Sequence, residues 1–143
     1  MAFLPVKSDH GAVLPFEYLP AAAGTYSVGQ LVNVTSGKLA AIAADQATTP
    51  PYLCMAERTV EADELLPVTR VSDDYIYETT LAAAAAAAAV GGKLQVASGG
   101  LTAKTGAGTF EIVSLDGTAA GDVVRGRWVP AVAAQPSGGG GGG

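Results

Sequence analysis

An internal repeat is the sequence feature that most constrains how this chain can fold. The segment VGQLVNVTSGKL, residues 28–39, recurs without a gap 62 positions later as VGGKLQVASGGL, residues 90–101, with six identical positions. Apolar residues alternate in both copies, which predicts a strand with one buried face. The Ser-Gly pair that follows predicts a tight turn, because glycine accepts positive φ. Each copy therefore predicts a β-hairpin.

The alternation also predicts which side chains are buried. Val28, Val32 and Val34 share one parity with their counterparts Val90, Leu94 and Val96, and we expect all six to be buried. Leu31 has the opposite parity, and its counterpart Lys93 is charged. Since the second copy tolerates a charge there, we expect another subunit or the N-terminal segment to cover Leu31.

Weaker matches extend the repeat on both sides of the hairpins. Downstream, Tyr52 falls on Phe110 and Cys54 on Ile112, at an offset of 58. These matches predict one repeat over about residues 15–72 and a second over about 76–130. Two copies are too few for a solenoid. We therefore expect one mainly β domain over residues 15–130, a small β-barrel or β-sandwich.

Two segments of biased composition interrupt or follow this pattern. The alanine run 82–89 predicts one short helix, capped by Thr79 or Thr80 at its start and by Gly91 at its end. Because about ten residues alone form a marginal helix in water, a low-complexity connector is the alternative. Residues 131–143 end in six glycines and cannot build a core, which predicts a disordered tail or an added linker.

The N-terminal residues 1–14 combine apolar side chains with proline and glycine, which predicts an extended arm. One alternative makes this arm an edge strand of its own domain. The other makes it a strand that is added to a partner. In the second case the contact residues would be Phe3, Leu4, Val6, Lys7, Val13 and Leu14. Because the arm lies outside the repeat, we expect the repeat core to fold without it.

The overall composition bounds the function. The net charge is −5 and the eight basic residues are scattered, which argues against nucleic-acid binding. Neither a signal peptide nor an apolar run of membrane-spanning length is present, so we expect a soluble protein made in a cytoplasm without membrane contact.

Few residues could carry chemistry. Cys54 is the only cysteine and His10 the only histidine, and Cys54 has the parity of a buried, inert thiol. We therefore expect no enzyme, no cofactor and no bound metal. Arg125 and Arg127 flank Gly126 on a predicted strand, point the same way, and are candidates for a subunit contact together with Leu31. The acidic residues between 57 and 78 predict a solvated face, although a calcium site and a patch facing a basic partner are alternatives.

The hairpin phrases YSVGQLVNVTSGKLAAIAAD and AAVGGKLQVASGGLTAK, followed by GDVVRGRWV, resemble those of bacteriophage head decoration proteins, which are also called capsid cement proteins. The resemblance covers roughly residues 15–130. It implies a mainly β fold, a homotrimer, and a location on the virion, where the protein would bind the major capsid protein from outside and stabilise the head. Another phage structural module, such as a tail or fibre component, or a small surface-binding module is the alternative.

Overall fold

The computed structural model describes residues 2–8 and 16–130. This part of the chain is mainly β, with 49% of residues in 13 strands that form three antiparallel sheets, and it contains no helix. In chain order the strands are β1 (Leu4–Ser8), β2 (Glu17–Pro20), β3 (Gly24–Tyr26), β4 (Leu31–Thr35), β5 (Lys38–Ala41), β6 (Tyr52–Cys54), β7 (Arg58–Val60), β8 (Leu65–Arg70), β9 (Tyr75–Thr80), β10 (Lys93–Val96), β11 (Ala103–Lys104), β12 (Phe110–Leu115) and β13 (Val123–Trp128).

The two larger sheets have the same plan. The five-stranded sheet has the order β2-β8-β6-β4-β5, and the six-stranded sheet has the order β1-β9-β13-β12-β10-β11. Without β1, the second order is the first with each strand replaced by its counterpart in the other repeat. A separate two-stranded sheet, β3-β7, belongs to the first repeat.

Strand registers repeat as well as strand order. Tyr52 lies opposite Arg70 between β6 and β8, and Phe110 lies opposite Trp128 between β12 and β13, at the same offset of 58 for both partners. Loop hydrogen bonds are also duplicated. The Gly29 amide donates to the carbonyl of Cys54, and the Gly91 amide donates to the carbonyl of Ile112, in each case at 2.8–2.9 Å. The structure thus contains one β motif twice.

The hairpins differ in their returning strands. Val34 lies opposite Leu39 in the first hairpin, whereas Val96 lies opposite Ala103 in the second. The aligned match of Leu39 to Leu101 is therefore wrong by two residues. In the first copy a two-residue turn, in which Gly37 has φ 79°, connects the strands directly. The second copy has a longer connection, although its aligned Gly99 also has positive φ.

Two hydrophobic cores lie on opposite faces of the five-stranded sheet. One is enclosed by the first repeat and includes Val32, Cys54 and Val68. The other joins the repeats, because Leu31 and Leu53 from the opposite face of that sheet belong to one cluster with residues of the six-stranded sheet. The five-stranded sheet is consequently buried on both faces, which is why its strands lack simple apolar–polar alternation.

The burial expected from the repeat is half right. Val32, Leu94 and Val96 are buried, but Val28, Val34 and Val90 are 45%, 47% and 67% exposed. Val28 and Val90 lie in turns immediately before Gly29 and Gly91, whose φ values of 80° and 89° interrupt the strand alternation. Val34 lies near the tip of its hairpin, whereas Val96 forms a bridge with Gln46 of the other repeat and is covered.

The expected helix over 82–89 is not formed, and this prediction was wrong. Two amides of the run donate to residues outside it: Ala82 to the carbonyl of Ala103 at 2.8 Å and Ala85 to the carbonyl of Thr118 at 2.7 Å. The first of these bonds has a counterpart in the first repeat, where Ala22 donates to Leu39. The alanine run therefore occupies the position of β3 in the second repeat, and tertiary pairing overrides its helix propensity.

A closed barrel is also absent from the described residues, because both large sheets are open. One isolated parallel bridge joins Ala21, after β2, to Leu39 of β5 in the first repeat, and the equivalent bridge joins Leu81, after β9, to Ala103 of β11 in the second. Residues 131–143, where a disordered tail was expected, lie outside the described residues.

The N-terminal segment is part of the fold. β1 pairs antiparallel with β9 as an edge strand, which agrees with the first of the two alternatives for the arm. Phe3, immediately before β1, is fully buried, with its ring centroid 5.5 Å from that of Phe110 and 5.7 Å from that of Trp128. The burial of Phe3 in the core therefore argues against the expectation that the core folds without this segment.

Leu31 is fully buried, as expected, and the cover comes from within the chain. It belongs to the same core cluster as Phe3 and Leu53, and its amide donates to the carbonyl of Gly100 in the second hairpin at 2.8 Å. Lys93, its counterpart, is exposed. The same strand position is thus interior in one repeat and surface in the other.

Truncation of Phe3 should destabilise the whole domain. We expect Phe3→Ala to lower the free energy of unfolding by about 3–5 kcal/mol, as for other buried aromatic residues. The matched control is Leu4→Ala, because Leu4 is the adjacent, exposed residue of the same segment, and it should cost less than about 1 kcal/mol. Chemical denaturation of both variants tests this, and equal midpoints would contradict a structural role for Phe3.

Substitution of each of the two equivalent residues by the other should change stability to very different extents. Leu31→Lys places a charge in the core between the repeats and should cost several kcal/mol, because the ammonium group loses its hydration. Lys93→Leu changes an exposed position and should alter stability by no more than about 0.5 kcal/mol. Thermal melts of both variants measure the difference, and similar melting temperatures would show that the interface between the repeats contributes little.

Candidate functional site

The residues that were predicted from the sequence to contact a capsid do not form one surface. Phe3 is interior, whereas Leu4, Val6 and Lys7 are exposed on β1. Leu4 and Lys7 lie opposite Glu78 and Ile76 of β9, and Val6 lies at the bulge where the register shifts. Val13 and Leu14 lie outside the described residues. Only the segment Leu4–Lys7 therefore presents an accessible part of this set.

The residues predicted to form a subunit contact do not all lie together, because Leu31 is separated from Arg125 and Arg127. Arg125 lies on β13 with its guanidinium 2.8 Å from Glu78 and 3.2 Å from Asp116. Hydrogen bonds to Asp116 and Glu78 raise the pKa of Arg125. Arg127 points to the same side of β13, as predicted, and lies opposite Glu111 of β12. Leu31 is in the interior and is not part of this surface.

The outer face of the six-stranded sheet is therefore polar and ion-paired. Its positions Lys93 and Glu111 are the counterparts of Leu31 and Leu53, which pack in the core in the first repeat. Lys93 and Glu111 lie directly opposite each other on β10 and β12, where opposite charges are compatible neighbours. This face is suited to solvent or to polar contacts, and not to the hydrophobic packing that joins the two repeats.

A different surface groups three exposed, large apolar side chains. Phe16, immediately before β2, and Tyr18 of β2 are 56% and 61% exposed, and Leu65 at the start of β8 is 51% exposed. The three share one side of the sheet, because Tyr18 lies opposite Pro67 and Pro20 lies opposite Leu65. We call Phe16, Tyr18 and Leu65 the β2 strip.

The β2 strip lies at the edge of its sheet. No strand of the described residues pairs along the outer side of β2, which meets β5 only beyond its end, at the bridge between Ala21 and Leu39. The equivalent side of β9 is occupied by β1. The sequence alone did not predict this surface, because the strand order that places β2 at an edge is a property of the folded sheet.

The inward side of the same edge differs between the repeats. In the second repeat Tyr77, Phe110 and Trp128 surround the end of the core that Phe3 enters. Glu17 of the first repeat is the counterpart of Tyr77, because their partners Val68 and Gly126 are equivalent. Tyr52 and Arg70 are likewise the counterparts of Phe110 and Trp128. Arg70 lies 5.1 Å from the Tyr52 ring centroid, donates to its hydroxyl at 3.0 Å, and is 3.5 Å from Glu17. This end is polar and open.

The thiol of Cys54 is buried in the core of the first repeat and donates to the carbonyl of Ala56 at 3.0 Å. Burial raises its pKa, against the opposing effects of that hydrogen bond and of Arg58. A protonated, enclosed thiol is a poor nucleophile. His10 lies outside the described residues, among which no cluster of three or more metal-ligating side chains occurs. The same residues contain no helix of a length and apolarity that would span a membrane.

Replacement of Cys54 should reveal its structural role. Cys54→Ala should cost on the order of 1 kcal/mol at neutral pH, as small core truncations do. Because the folded-state pKa is raised, the thiol contributes stability that is present below its unfolded pKa and decreases as pH rises above that value. The variant should therefore lose less stability than the parent protein between pH 8 and 10. Parallel denaturation curves would contradict this.

Comparison with known sequences finds no protein-family model that matches the chain and no curated protein that is significantly similar to it.

Proposed function

We propose that this chain is a structural virion protein, not an enzyme, that binds the outer surface of a phage capsid and stabilises the assembled head. The observation that carries the proposal is the concentration of exposed apolar side chains on two outer strands, β1 and β2, of an otherwise well-packed β scaffold. The pattern that resembles head decoration proteins supports it, because its hairpin phrases form β4-β5 and β10-β11, and its closing phrase forms β13. The fold we propose is a sandwich of two tandem repeats.

The proposed capsid contact is centred on β1. Leu4 and Val6 supply apolar area and Lys7 a charge, all on an edge strand whose position is fixed by the burial of Phe3. Phe3 acts in this proposal as an anchor for the strand rather than as a contact. Val13 and Leu14 extend the same contact in sequence.

Attachment would stabilise the head by linkage. A protein that binds the assembled shell more tightly than its alternatives shifts the equilibrium towards that shell. In a homotrimer, to which Arg125 and Arg127 would contribute intersubunit contacts, three weak contacts to the major capsid protein would act together. The proposed location is the exterior of the virion, without a cofactor, nucleic acid or membrane.

A sedimentation assay with undecorated heads of the same virus tests this function. The double variant Leu4→Glu/Val6→Glu should bind heads at least tenfold more weakly than the parent protein, which corresponds to about 1.4 kcal/mol. Val34→Glu is the matched control, because Val34 is similarly exposed but lies on β4, in the other large sheet. A thermal melt of each variant verifies folding.

The outcomes separate the alternatives. Equal binding by both variants would exclude β1 as the contact. Failure of the parent protein to sediment with heads, together with binding to purified tails, would favour a tail or fibre component.

A further inference from the structure

We propose that the outer edge of β2 is a binding site for an extended segment of another polypeptide, which would pair with β2 as an added strand. The segment would carry apolar side chains at alternate positions, towards Phe16, Tyr18 and Leu65. The proposal goes beyond capsid attachment through β1 and does not depend on it.

The backbone of β2 has free hydrogen-bonding groups at this edge. Tyr18 lies opposite Pro67, which has no N–H, and the Pro67 carbonyl accepts from the Met55 amide at 2.9 Å, on the side away from β2. Tyr18 and Pro67 are therefore a pair without mutual hydrogen bonds, so the N–H and C=O of Tyr18 point away from β8. Continued to Phe16, immediately before β2, the same alternation directs its backbone groups to this side.

The second repeat shows an equivalent edge with its strand in place. Glu78 and Ile76 of β9 are the counterparts of Tyr18 and Phe16, and they lie opposite Leu4 and Lys7 of β1. An extended segment with the sequence of β1 thus fits this motif. The corresponding position beside β2 has no occupant among the described residues.

The side chains at the two edges favour different environments. β9 presents Glu78, which is paired with Arg125, whereas β2 presents the half-exposed Tyr18 and Phe16. Exposed aromatic side chains on an unpaired edge favour association, because both the apolar surface and the backbone groups gain partners. On the inward side, a residue in the place of Phe3 would lie against Tyr52 and the Arg70 guanidinium, where an aromatic ring is accommodated by stacking.

A second copy of this chain is a poorer occupant than a foreign segment. Antiparallel pairing of two β2 strands through Phe16 and Tyr18 would place the two Glu17 carboxylates opposite each other, which is unfavourable. The free edge of β1 contains Pro5 and a bulge at Val6, features that oppose further pairing. The geometry therefore points to a strand from another protein.

The probe is the peptide of residues 2–8, AFLPVKS, acetylated and amidated, because this sequence pairs with the sister edge. We expect it to bind the full-length protein in an NMR titration and to slow hydrogen exchange of the Tyr18 amide at least tenfold. Exchange at Glu78, whose edge is already paired, should not change. Absence of binding would overturn the proposal.

Two variants at one position isolate backbone pairing. Tyr18→Pro removes the outward N–H without removing a bond to β8, so the protein should fold and bind the peptide at least tenfold more weakly. Tyr18→Ala keeps the N–H and should weaken binding less. Equal loss in both variants would show side-chain binding without strand addition, and a Tyr18→Pro protein that fails to fold would leave the exchange result for the parent protein to decide.

Sedimentation of the protein alone over a range of concentrations tests the other occupant. Self-association that Tyr18→Pro abolishes would overturn the proposal in favour of a second copy. The assay contains no capsid, so failure of the peptide to bind does not bear on the proposed function, and failure to bind heads does not bear on the β2 edge.

Discussion

The structure depends on the burial of one sheet on both faces. Leu31 and Leu53 project from the five-stranded sheet into the core of the six-stranded one, while Val32 and Cys54 project from the same strands into a core of their own. Neither repeat could bury this face alone, since two apolar faces require two partners. Phe3, immediately before β1, enters the core that Leu31 and Leu53 share with the six-stranded sheet, and β1 pairs at the edge of that sheet.

The sequence predicted the positions of strands better than it predicted the exposure of their side chains or the structure of the connections. Alternation and the matched offsets located β4, β6, β10 and β12, and mainly β structure is confirmed. The helix prediction failed because it rested on the helix propensity of alanine alone. In the repeat, residues 82–89 correspond to β3 and the residues beside it, which are not helical. Exposure of Val28, Val34 and Val90 could not be predicted from parity, because turn geometry and cover from the other repeat determine it.

The candidate surfaces were only partly predictable for a related physical reason. Phe3 and Leu4 are adjacent apolar residues in one segment, and only the location of β9 distinguishes the anchor from the exposed side chain. Arg125 and Arg127 were correctly placed on one side of a strand, yet the carboxylates that hold Arg125 come from Glu78 and Asp116, which are distant in sequence or separated by a turn. Exposure of the β2 strip depends on which strand ends the sheet, and that is a property of the assembled fold.

The contrast between Leu31–Leu53 and Lys93–Glu111 determines how many repeats the architecture can hold. An apolar outer face accepts the next repeat, and a polar outer face ends the series, as terminal repeats do in longer arrays. The outer face of the first repeat can therefore pack against a further repeat, whereas the outer face of the second cannot. Growth by further duplication of the second repeat would require these two charges to be replaced before a third layer could pack.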